Sequence, residues 1–484
     1  MEINEKREII SNFIDETLRE IPNALNAYVS DDNGKFSKRR EFNEITQYIN
    51  NFLEGKKRKR FILLPGIRGV GKTTLLFQVY EYLLKEINVN PDQIIYISCD
   101  DLNDLCDCTI REFTEIFLED YHDTTMRQLD KNIFLLIDET QYDKKWTTSS
   151  KVLFDRSKNI FILITGSSAL TIEDNADIER RSVNKEILPL SFSHHLELKY
   201  KIQIKEKQDI LTNFIITGEI KEIIERELEL NNTLMNNSNY TNLDWKNYLY
   251  YGGFPVYFEE EDTKSICNDI VKMTRRVVKE DISNMKNISE DNKTNANRIL
   301  RYLSMIDSAD VSMNKISKYL NTAVGNVETI LGLLEKTHLI YHLEPYGSPS
   351  LRTRKARKYY FTTSSIKYAL SSKIGNNIKD KNKFEGLLIE NMVASKLFKL
   401  TADYDDLTLF YDSNNNGNVD FIVKEEFGKI IPIEVGKNKK NTKQIENAIK
   451  HYKAEYGIII SDNRKKIEKK GNIIHIPIKI FALL

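Results

Sequence analysis

A glycine-rich stretch, GIRGVGKT at residues 66–73, constrains the fold of this chain more than any other feature. It matches the pattern G-x-x-x-x-G-K-[ST], follows the apolar run RFILLPG and opens a segment with helical periodicity. Glycines in such a turn let backbone N–H groups close around phosphate, and a helix that begins there favours an anion at its N-terminus. The stretch therefore predicts a strand, a phosphate-binding loop and a helix in immediate succession.

The loop also predicts the chemistry of a nucleotide site. Lys72 is expected to reach the β- and γ-phosphates, and Thr73 is expected to hold Mg²⁺ through its hydroxyl. The residues expected to bind nucleotide are the loop glycines and the polar residues after them: Gly66, Gly69, Gly71, Lys72, Thr73 and Thr74. A chance match on a turn is the alternative.

Three more apolar runs follow the loop. They are QIIYISCD, NIFLLIDE and NIFILITGSS, at residues 93–100, 132–139 and 159–168. The helical segment after the loop has one apolar face, made of Leu75, Leu76, Val79 and Leu83. Strands and helices in alternation predict a parallel sheet covered by helices, with ligands at the carboxyl ends of the strands.

Two acidic residues end the run NIFLLIDE. Asp138 is expected to complete the Mg²⁺ site, and Glu139 is placed to polarise the attacking water. An acidic pair at a strand end is also common as a simple helix cap. The phosphate loop upstream favours the catalytic interpretation.

Hydroxyl and guanidinium groups further along are candidates for the same site. Thr165 and Ser167 end the run NIFILITGSS, where their hydroxyls could sense the γ-phosphate or orient water, and a plain turn is the alternative. Arg180 and Arg181 follow on a predicted loop. An arginine there could stabilise transition-state charge, in cis or on a neighbouring subunit, and a solvated pair is the alternative.

Composition limits the classes of protein to consider. The chain has 484 residues, enough for roughly two to four domains, and its 71 basic residues balance 71 acidic ones. Any attraction to nucleic acid must therefore be local. The cysteines lack paired metal-ligand spacing, which favours reduced thiols, and no apolar run approaches the roughly 18 residues that a membrane span needs. With the charged N-terminus MEINEKREII, these features predict a soluble cytoplasmic protein.

Changes in pattern along the chain predict a series of regions. They are an N-terminal helical segment (1–60), a nucleotide-binding core (61–200), a helical lid (201–300), a winged-helix domain (301–372) and a C-terminal α/β domain (373–484). In the winged-helix region, the predicted apolar face of the second helix is Val324, Val327, Leu331 and Leu334.

The winged-helix region is a candidate for DNA contact. Its second helix, 323–336, could lie in a major groove, and the basic run RTRKARK at 352–358 could add salt-dependent affinity for phosphate. Glu328 and Glu335 on that helix count against direct base reading. A lid or a protein contact is the alternative.

Several segments together resemble a known family, the AAA-like ATPases of bacteria and archaea whose C-terminal domain is similar to a PD-(D/E)xK nuclease. The segments are GIRGVGKTTLL, LLIDETQYDKKW, RSVNKEILPLSF, YLYYGGFPVYF and RREFNEI. The similarity covers most of the chain, and the Pro-Leu-Ser-Phe and Gly-Gly-Phe-Pro segments are its most specific part. The resemblance implies binding and hydrolysis of ATP with Mg²⁺.

The resemblance also implies roles for three arginines. Arg68 lies within the phosphate loop and is expected to bind nucleotide, and Arg40 belongs to a motif that often sits by the nucleotide. Arg181 takes the position of the family's arginine, whereas Arg180 stands where a glycine is usual. The expected catalytic residues are Lys72, Glu139, Thr165 and Arg181.

The tail carries carboxylates in the layout of a metal-dependent nuclease. Asp420 and Glu434 lie in adjacent predicted strands. Glu390 lies in the predicted helix that opens the domain, where the nuclease-like family carries an acid. Three carboxylates that converge could hold one or two divalent metals and generate a hydroxide.

The lysine that such a nuclease needs is displaced. The nuclease strand carries Glu-x-Lys, but here Gly436 occupies the lysine position and Lys437 comes one place later. Because side chains alternate along a strand, Glu434 and residue 436 face one side and Lys437 faces the other. A bulge at Gly436 could return Lys437 to the site. The sequence predicts a degenerate nuclease fold used for binding, with an active nuclease and an unrelated sheet as alternatives.

The sequence therefore predicts an α/β protein with a P-loop parallel-sheet ATPase core, a helical lid, a winged-helix domain and a nuclease-like α/β domain. The favoured function is an ATP-driven AAA-like switch or remodeller, with DNA, a protein or a second copy as candidate partners. One alternative is an ATP-regulated, metal-dependent DNA nuclease in defence or mobile-element biology. The other is a protein-binding signalling scaffold with slow ATP turnover.

Overall fold

A computed structural model of the protein describes residues 3–32, 34–167, 176–204, 207–285, 288–306, 311–373, 380–413, 419–437 and 441–484. The helices are α1 (Ile3–Val29), α2 (Arg40–Leu53), α3 (Lys72–Glu81), α4 (Cys99–Cys106), α5 (Ile110–His122), α6 (Trp146–Arg156), α7 (Ala176–Glu179), α8 (Phe192–Tyr200), α9 (Gln208–Thr217), α10 (Lys221–Met235), α11 (Asn242–Tyr250), α12 (Val256–Glu259), α13 (Thr263–Arg276), α14 (Ile282–Met285), α15 (Glu290–Met305), α16 (Met313–Leu320), α17 (Val324–Lys336), α18 (Pro349–Arg354), α19 (Ser364–Ser372), α20 (Lys381–Asp403), α21 (Lys443–Tyr452) and α22 (Ile478–Leu483). The strands are β1 (Ser30–Asp31), β2 (Gly34–Lys35), β3 (Phe61–Pro65), β4 (Ile94–Ser98), β5 (Ile133–Asp138), β6 (Ile160–Gly166), β7 (Val183–Asn184), β8 (Ile340–Leu343), β9 (Lys358–Phe361), β10 (Leu407–Tyr411), β11 (Phe421–Glu425), β12 (Ile430–Gly436), β13 (Gly457–Ser461), β14 (Glu468–Lys470) and β15 (Ile473–Ile476).

The chain divides into two compact units. The first contains Met1–Leu188 and a short segment, Asp281–Lys286. The second contains Pro189–Glu280 and Asn287–Leu484. The predicted boundaries at residues 60 and 200 do not coincide with this division.

The first unit is built on a five-stranded sheet in the order β4-β5-β6-β3-β7. All of its strand pairs are parallel, as the sequence predicts. Strands β3, β5 and β6 are buried along their whole length, which is typical of a sheet covered on both faces. Because β6 lies between β3 and β5, residues that end β6 lie between the phosphate loop and Asp138.

Helices α1 and α3 cover this sheet. The predicted apolar face of the helix after the loop is buried as expected at Leu75, Leu76, Val79 and Leu83. Helix α1 contacts α3, α5 and β4, and its Ile10 and Ile14 belong to the same core as the sheet. The N-terminal helix therefore packs against the elements of the first unit.

The second unit contains a six-stranded mixed sheet in the order β10-β11-β12-β13-β15-β14. Strands β10 to β12 form an antiparallel meander, and β12, β13 and β15 are parallel. Ile433 and Val435 of β12 share a core with Met392 of α20. Ile422 of β11 packs instead with Ile445 of α21, so the two helices cover opposite faces.

Helices α15 to α17 precede a two-stranded antiparallel ladder in which Ile340 of β8 pairs with Phe361 of β9. Helix α18 fills the connection between the two strands, where the sequence predicts a wing. Val327 is buried as predicted, but Val324 is 40% exposed because it begins α17. The assignment of this arrangement as a winged helix stays a prediction.

One apolar core runs through most of the second unit. It joins Phe192 of α8, Ile215 of the predicted lid, Tyr341 of β8, and Ile433 and Ile474 of the C-terminal sheet. The predicted lid helices therefore share their core with the tail.

Two expectations from composition concern cysteines and membranes. The four cysteines are buried and free of disulfides: Cys99, Cys106, Cys108 and Cys267. Across the described ranges, no helix is both long enough and apolar enough to cross a membrane.

Candidate nucleotide-binding site

The loop that follows β3 requires its glycines. Gly69 and Gly71 have φ values of 78° and 90°, which side chains other than glycine rarely adopt. At Gly66, an added Cβ would lie 2.4 Å from the carbonyl oxygen of Ile187. These positions explain in steric terms why the loop is glycine-rich.

Lys72 folds back over the loop. Its Nζ donates hydrogen bonds to the carbonyl oxygens of Gly66, at 2.8 Å, and Ile67, at 3.1 Å. Burial lowers the pKa of Lys72, although nearby carboxylates oppose this shift. An anionic phosphate in the loop would add to the counter-charge that these carboxylates supply.

Asp138 lies at the centre of a hydrogen-bond network. The Thr73 hydroxyl donates to its Oδ2 at 2.7 Å, and the Tyr96 hydroxyl donates to the same oxygen at 3.3 Å. The Thr165 hydroxyl donates to Oδ1. Burial raises the pKa of Asp138, and Glu139 adds to the effect, while the two threonine hydroxyls oppose it. Thr165 thus positions the acid in this structure, where the sequence predicts a phosphate sensor.

These residues fit a bound Mg²⁺. Magnesium prefers oxygen ligands and usually combines one or two protein groups with substrate phosphates and water. The Thr73 hydroxyl and the Asp138 carboxylate are hard oxygen donors within hydrogen-bond distance of each other, beside the loop. Thr73 and Asp138 are therefore the residues that would hold the ion, and this role stays a prediction.

Glu139 has a left-handed backbone, with φ 51°, which is uncommon for a residue other than glycine. Gln141 Nε2 donates to its carboxylate, and Gln141 Oε1 accepts a hydrogen bond from the Ser167 backbone N–H at 3.1 Å. The buried Ser167 hydroxyl has no hydrogen-bond partner within the described ranges. Ser167 is therefore better placed than Thr165 for the predicted sensing role.

Arg68 contacts a residue that the sequence does not identify. Its Nη2 and Nε donate to Asp281 Oδ1 at 3.0 and 3.1 Å. The same Nη2 lies 3.4 Å from the Tyr142 hydroxyl and 3.9 Å from Glu139 Oε2. No local pattern marks Asp281, because it lies 213 positions from Arg68 in a charged helical stretch.

Arg39, the neighbour of the predicted Arg40, contacts the loop. Its Nη1 donates to the Val70 carbonyl at 2.8 Å and its Nη2 donates to the Leu188 carbonyl at 2.9 Å. Arg40 is the half-buried first residue of α2. Arg39 thus contacts the loop directly, and the nucleotide-binding role predicted for Arg40 stays a prediction.

Arg181 has acidic partners of its own. Its Nε and Nη2 donate to the two carboxylate oxygens of Asp155, both at 2.9 Å, and its Nη1 donates to the Asp177 carbonyl at 2.7 Å. Arg180 is mostly exposed and pairs with Asp177 at 3.2 Å. Arg181 is thus engaged away from any residue of the loop in this structure, and its predicted catalytic role stays a prediction.

The three tail carboxylates that the sequence predicts to bind metal all lie within the described residues. Among the described residues, no group of three His, Cys, Asp or Glu side chains could hold a metal ion. Asp420 Oδ2 accepts the Val435 N–H at 2.7 Å, and Glu390 accepts the Tyr360 hydroxyl at 3.0 Å. Glu434 lies in β12 between two residues that face α20, so it points to the face opposite the helix that carries Glu390.

Lys437 does not return to the site through a bulge. Strand β12 pairs with β13 without interruption through Gly436 and Ser461. Lys437 Nζ instead donates to Glu385 of α20 at 2.8 Å. The prediction that Lys437 and Glu434 face opposite sides of the strand is therefore correct, and the alternative of a bulge at Gly436 is wrong.

The predicted basic run 352–358 packs against the C-terminal sheet. The Arg352 guanidinium lies over the Phe410 ring at 4.4 Å, and Lys355 Nζ donates to the Ser413 carbonyl at 2.8 Å. Part of the charge expected to face DNA is thus used within the second unit.

The two most specific segments of the resemblance meet each other. The Leu190 N–H donates to the Gly253 carbonyl at 2.9 Å, and His195 Nδ1 lies 3.2 Å from the Gly252 carbonyl. An added Cβ at Gly253 would lie 2.3 Å from Thr363 Oγ1. Pro-Leu-Ser-Phe and Gly-Gly-Phe-Pro therefore form a close-packed junction inside the second unit.

Comparison with protein families agrees with this geometry. Residues 58–196 match the AAA domain, residues 242–377 match a domain of unknown function (DUF8612), and residues 385–481 match another (DUF4143). The AAA match spans the phosphate loop, Asp138 and Thr165. The fold and the site thus define a P-loop ATPase domain of AAA type.

Two relatives match almost the whole chain. The uncharacterized protein MJ1637 of Methanocaldococcus jannaschii is 33% identical over 462 residues, which cover 93% of this chain and 90% of the relative. An uncharacterized protein of Haemophilus influenzae is 22% identical over 433 residues, which cover 87% of this chain and 91% of the relative. The chain belongs to the same protein family as MJ1637.

Solved structures show a more distant similarity. The Aeropyrum pernix Orc1 protein in complex with DNA has a TM-score of 0.33 and 11% identity, with 71% of this chain and 95% of that chain covered. The Thermotoga maritima RuvB Holliday junction branch migration motor has a TM-score of 0.28 and 14% identity, with 65% and 91% covered. At these TM-scores the similarity supports no conclusion about function.

Proposed function

We propose that the protein binds ATP with Mg²⁺ at residues 66–74 and hydrolyses it, as an ATP-driven switch or remodeller. The observation that carries this proposal is the position of Asp138, whose carboxylate accepts hydrogen bonds from both Thr73 and Thr165 beside the phosphate loop. The two hydroxyls fix a buried carboxylate next to a glycine-rich loop. This arrangement suits a site that binds a metal ion together with phosphate.

The residues have separate roles in the proposed reaction. Water forms a bond to the γ-phosphorus while the bond from that phosphorus to the β–γ bridging oxygen breaks, which gives ADP and inorganic phosphate. Glu139 accepts a proton from the attacking water, and Lys72 binds the phosphates after it leaves the loop carbonyls. Bound Mg²⁺ supplies positive charge to the phosphate oxygens.

The test is turnover of MgATP by purified protein. Lys72→Ala is expected to lower the rate at least 100-fold, because the loop loses its cation. Lys158→Ala removes an exposed lysine of the same unit and is expected to retain the wild-type rate. Equal rates in Lys72→Ala and wild type would refute the proposal.

We also propose that the C-terminal domain binds a partner and does not cleave DNA. The contact of Lys437 with Glu385 of α20, on the side of β12 opposite Glu434, supports this view. Wild-type protein is expected to leave plasmid and linear DNA intact with Mg²⁺ or Mn²⁺, with or without ATP. Cleavage that Asp420→Ala abolishes would instead establish the nuclease alternative.

Contact with DNA is a second candidate function, supported by the surface of α15 and α16. The exposed cations of these helices are Arg298, Arg301, Lys315 and Lys318, and none of them forms an ion pair or hydrogen bond with another described side chain. The rings of Tyr302 and Tyr319 join the two helices at 5.3 Å, and Tyr319 is 56% exposed. Exposed cations with no such partner among the described residues, on two helices that also carry an exposed ring, suit phosphates and a stacked base.

This second function predicts that the four cations of α15 and α16 contribute to DNA affinity. Replacing those four cations with glutamine should weaken binding of a labelled DNA and lower the dependence of log affinity on log salt by about 3–4. The matched control, Arg354→Gln with Lys355→Gln, removes exposed charges of the predicted basic run and should change both quantities much less. DNA binding by wild type that does not respond to salt, or no binding, would favour the protein-scaffold alternative.

A further inference from the structure

A buried ion pair at the phosphate loop has no role in the reaction described so far. Arg68 and Asp281 make three contacts of 3.0, 3.1 and 3.4 Å, and their side chains are 14% and 3% exposed. Several contacts between one carboxylate and one guanidinium group fix the plane of the guanidinium, whereas a single contact would leave it free to rotate. Asp281 therefore determines where the charge of Arg68 lies.

The pair faces the groups that would do the chemistry. Arg68 Nη2 lies 3.9 Å from Glu139 Oε2, the proposed acceptor of the water proton. Asp281 and Arg68 also act electrostatically on Lys72, the proposed phosphate ligand. Although burial opposes it, the charges of Asp281 and Glu139 raise the pKa of Arg68 above its ordinary value.

Asp281 comes from a distant part of the chain. It is the last residue of a π-helical turn, Val277–Asp281, and it begins the short segment that belongs to the first unit. Such π-helical turns are frequent at functional sites. A purely structural counter-ion for a loop arginine does not require a segment of this kind.

We propose that Asp281 is a positioning residue, which holds Arg68 beside Glu139 so that Arg68 supplies the positive charge at the γ-phosphate during hydrolysis. This inference rests on the proposed ATPase function. It assigns to Arg68 the catalytic role predicted for Arg181, whose guanidinium is held by Asp155.

Loss of the Asp281 charge should change nucleotide binding and turnover in opposite directions. With Asp281→Asn, the site loses a negative charge near the phosphates and Arg68 is free to bind them in the ground state. Nucleotide should then bind roughly five- to tenfold more tightly. Turnover should fall about tenfold, because the guanidinium is no longer fixed where charge develops.

The experiment measures affinity and turnover separately. Affinity is measured with a non-hydrolysable ATP analogue and Mg²⁺, and kcat is measured with ATP, for wild type, Asp281→Asn, Asp281→Glu and Arg68→Gln. Arg68→Gln should lower kcat about 100-fold, and Asp281→Glu, which keeps the charge, should recover part of the rate. Asp130→Asn and Arg58→Gln are exposed controls of the same charge types and should match wild type.

A double variant guards against a folding defect. Arg68→Gln with Asp281→Asn removes both buried charges, so neither is left unpaired. Its kcat should equal that of Arg68→Gln alone, because Asp281 acts through Arg68. Multiplicative losses in the double variant, or weaker binding together with slower turnover in Asp281→Asn, would overturn the inference.

Failure of the proposed role of Asp281 can be distinguished from failure of the proposed ATPase function. If Lys72→Ala abolishes turnover while Asp281→Asn matches wild type in affinity and kcat, the ATPase stands and the role of Asp281 fails. If wild type binds the analogue but does not turn over ATP, the ATPase itself fails.

Discussion

The phosphate-loop site and the carboxylates of the C-terminal sheet use similar residues, but the backbone places them differently. Asp138 and Thr165 lie at the carboxyl ends of adjacent parallel strands, where chain direction alone brings them together. Glu434 lies inside a strand, where alternation decides which face it occupies. An acid at a strand end thus reaches a site at the edge of the sheet, whereas an acid within a strand can serve only the face to which its side chain points.

The largest expected effect concerns the acids of the two regions, Asp138 and Asp420. Asp138→Asn should lower ATP turnover about 100-fold, because a neutral amide cannot replace the carboxylate toward Mg²⁺ and three hydroxyl donors. Asp420→Asn keeps an acceptor for the Val435 N–H and should leave turnover within about twofold of wild type. A steady-state assay of both variants checks this, and equal losses would contradict the distinction between the two regions.

A smaller effect concerns the stability of the second unit. Gly253→Ala should lower its free energy of unfolding by about 2 kcal/mol, because the new Cβ would lie 2.3 Å from Thr363 Oγ1. Gly332→Ala is the matched control, since no atom lies within 4 Å of its new Cβ and helix α17 should gain about 0.5–1 kcal/mol. Urea unfolding followed by circular dichroism measures both. A Gly253→Ala protein as stable as wild type would show that the junction can relax.

The pH dependence of stability tests the same junction. Burial lowers the pKa of His195 to about 3, against about 6.5 in an unfolded chain. Between these values the unfolded state binds a proton that the folded state does not, so stability present above pH 6.5 is lost as the pH falls. The loss from this residue is at most about 1.4 kcal/mol per pH unit.

His195→Gln should therefore flatten the fall in unfolding free energy between pH 6 and pH 4, relative to wild type. The measurement is chemical unfolding at several pH values. His451→Gln changes an exposed histidine and should leave the slope as in wild type. Parallel curves for wild type and His195→Gln would exclude His195 as the source of the slope.

The smallest effect is expected at the displaced lysine. Lys437→Ala removes an ion pair of 2.8 Å whose partners are 25% and 16% exposed, so it should cost about 0.5–1 kcal/mol of unfolding free energy. Its ATP turnover should remain that of wild type. A large loss of any DNA-cleaving activity in this variant would place the lysine in a working site after all.

The sequence predicted features that depend on neighbouring residues. The loop, its helix and the four main parallel strands were correct because each is encoded in a contiguous run. Asp281 was missed because its partner, Arg68, is 213 positions away and no local spacing links them. The alternation argument placed Lys437 on the correct face, but the face that α20 covers could not be known from the sequence, because it depends on how the helix packs on the sheet.

The core that joins the predicted lid to the tail has a consequence for synthesis of the chain. The Tyr456 hydroxyl donates to the carbonyl of Ile215, a separation of 241 residues. At about 5–20 residues per second, helix α9 emerges from the ribosome roughly 10–50 seconds before this partner exists. During that time its apolar face is exposed to whatever else is present, so newly made chains should depend on molecular chaperones more than the stability of the finished protein would suggest.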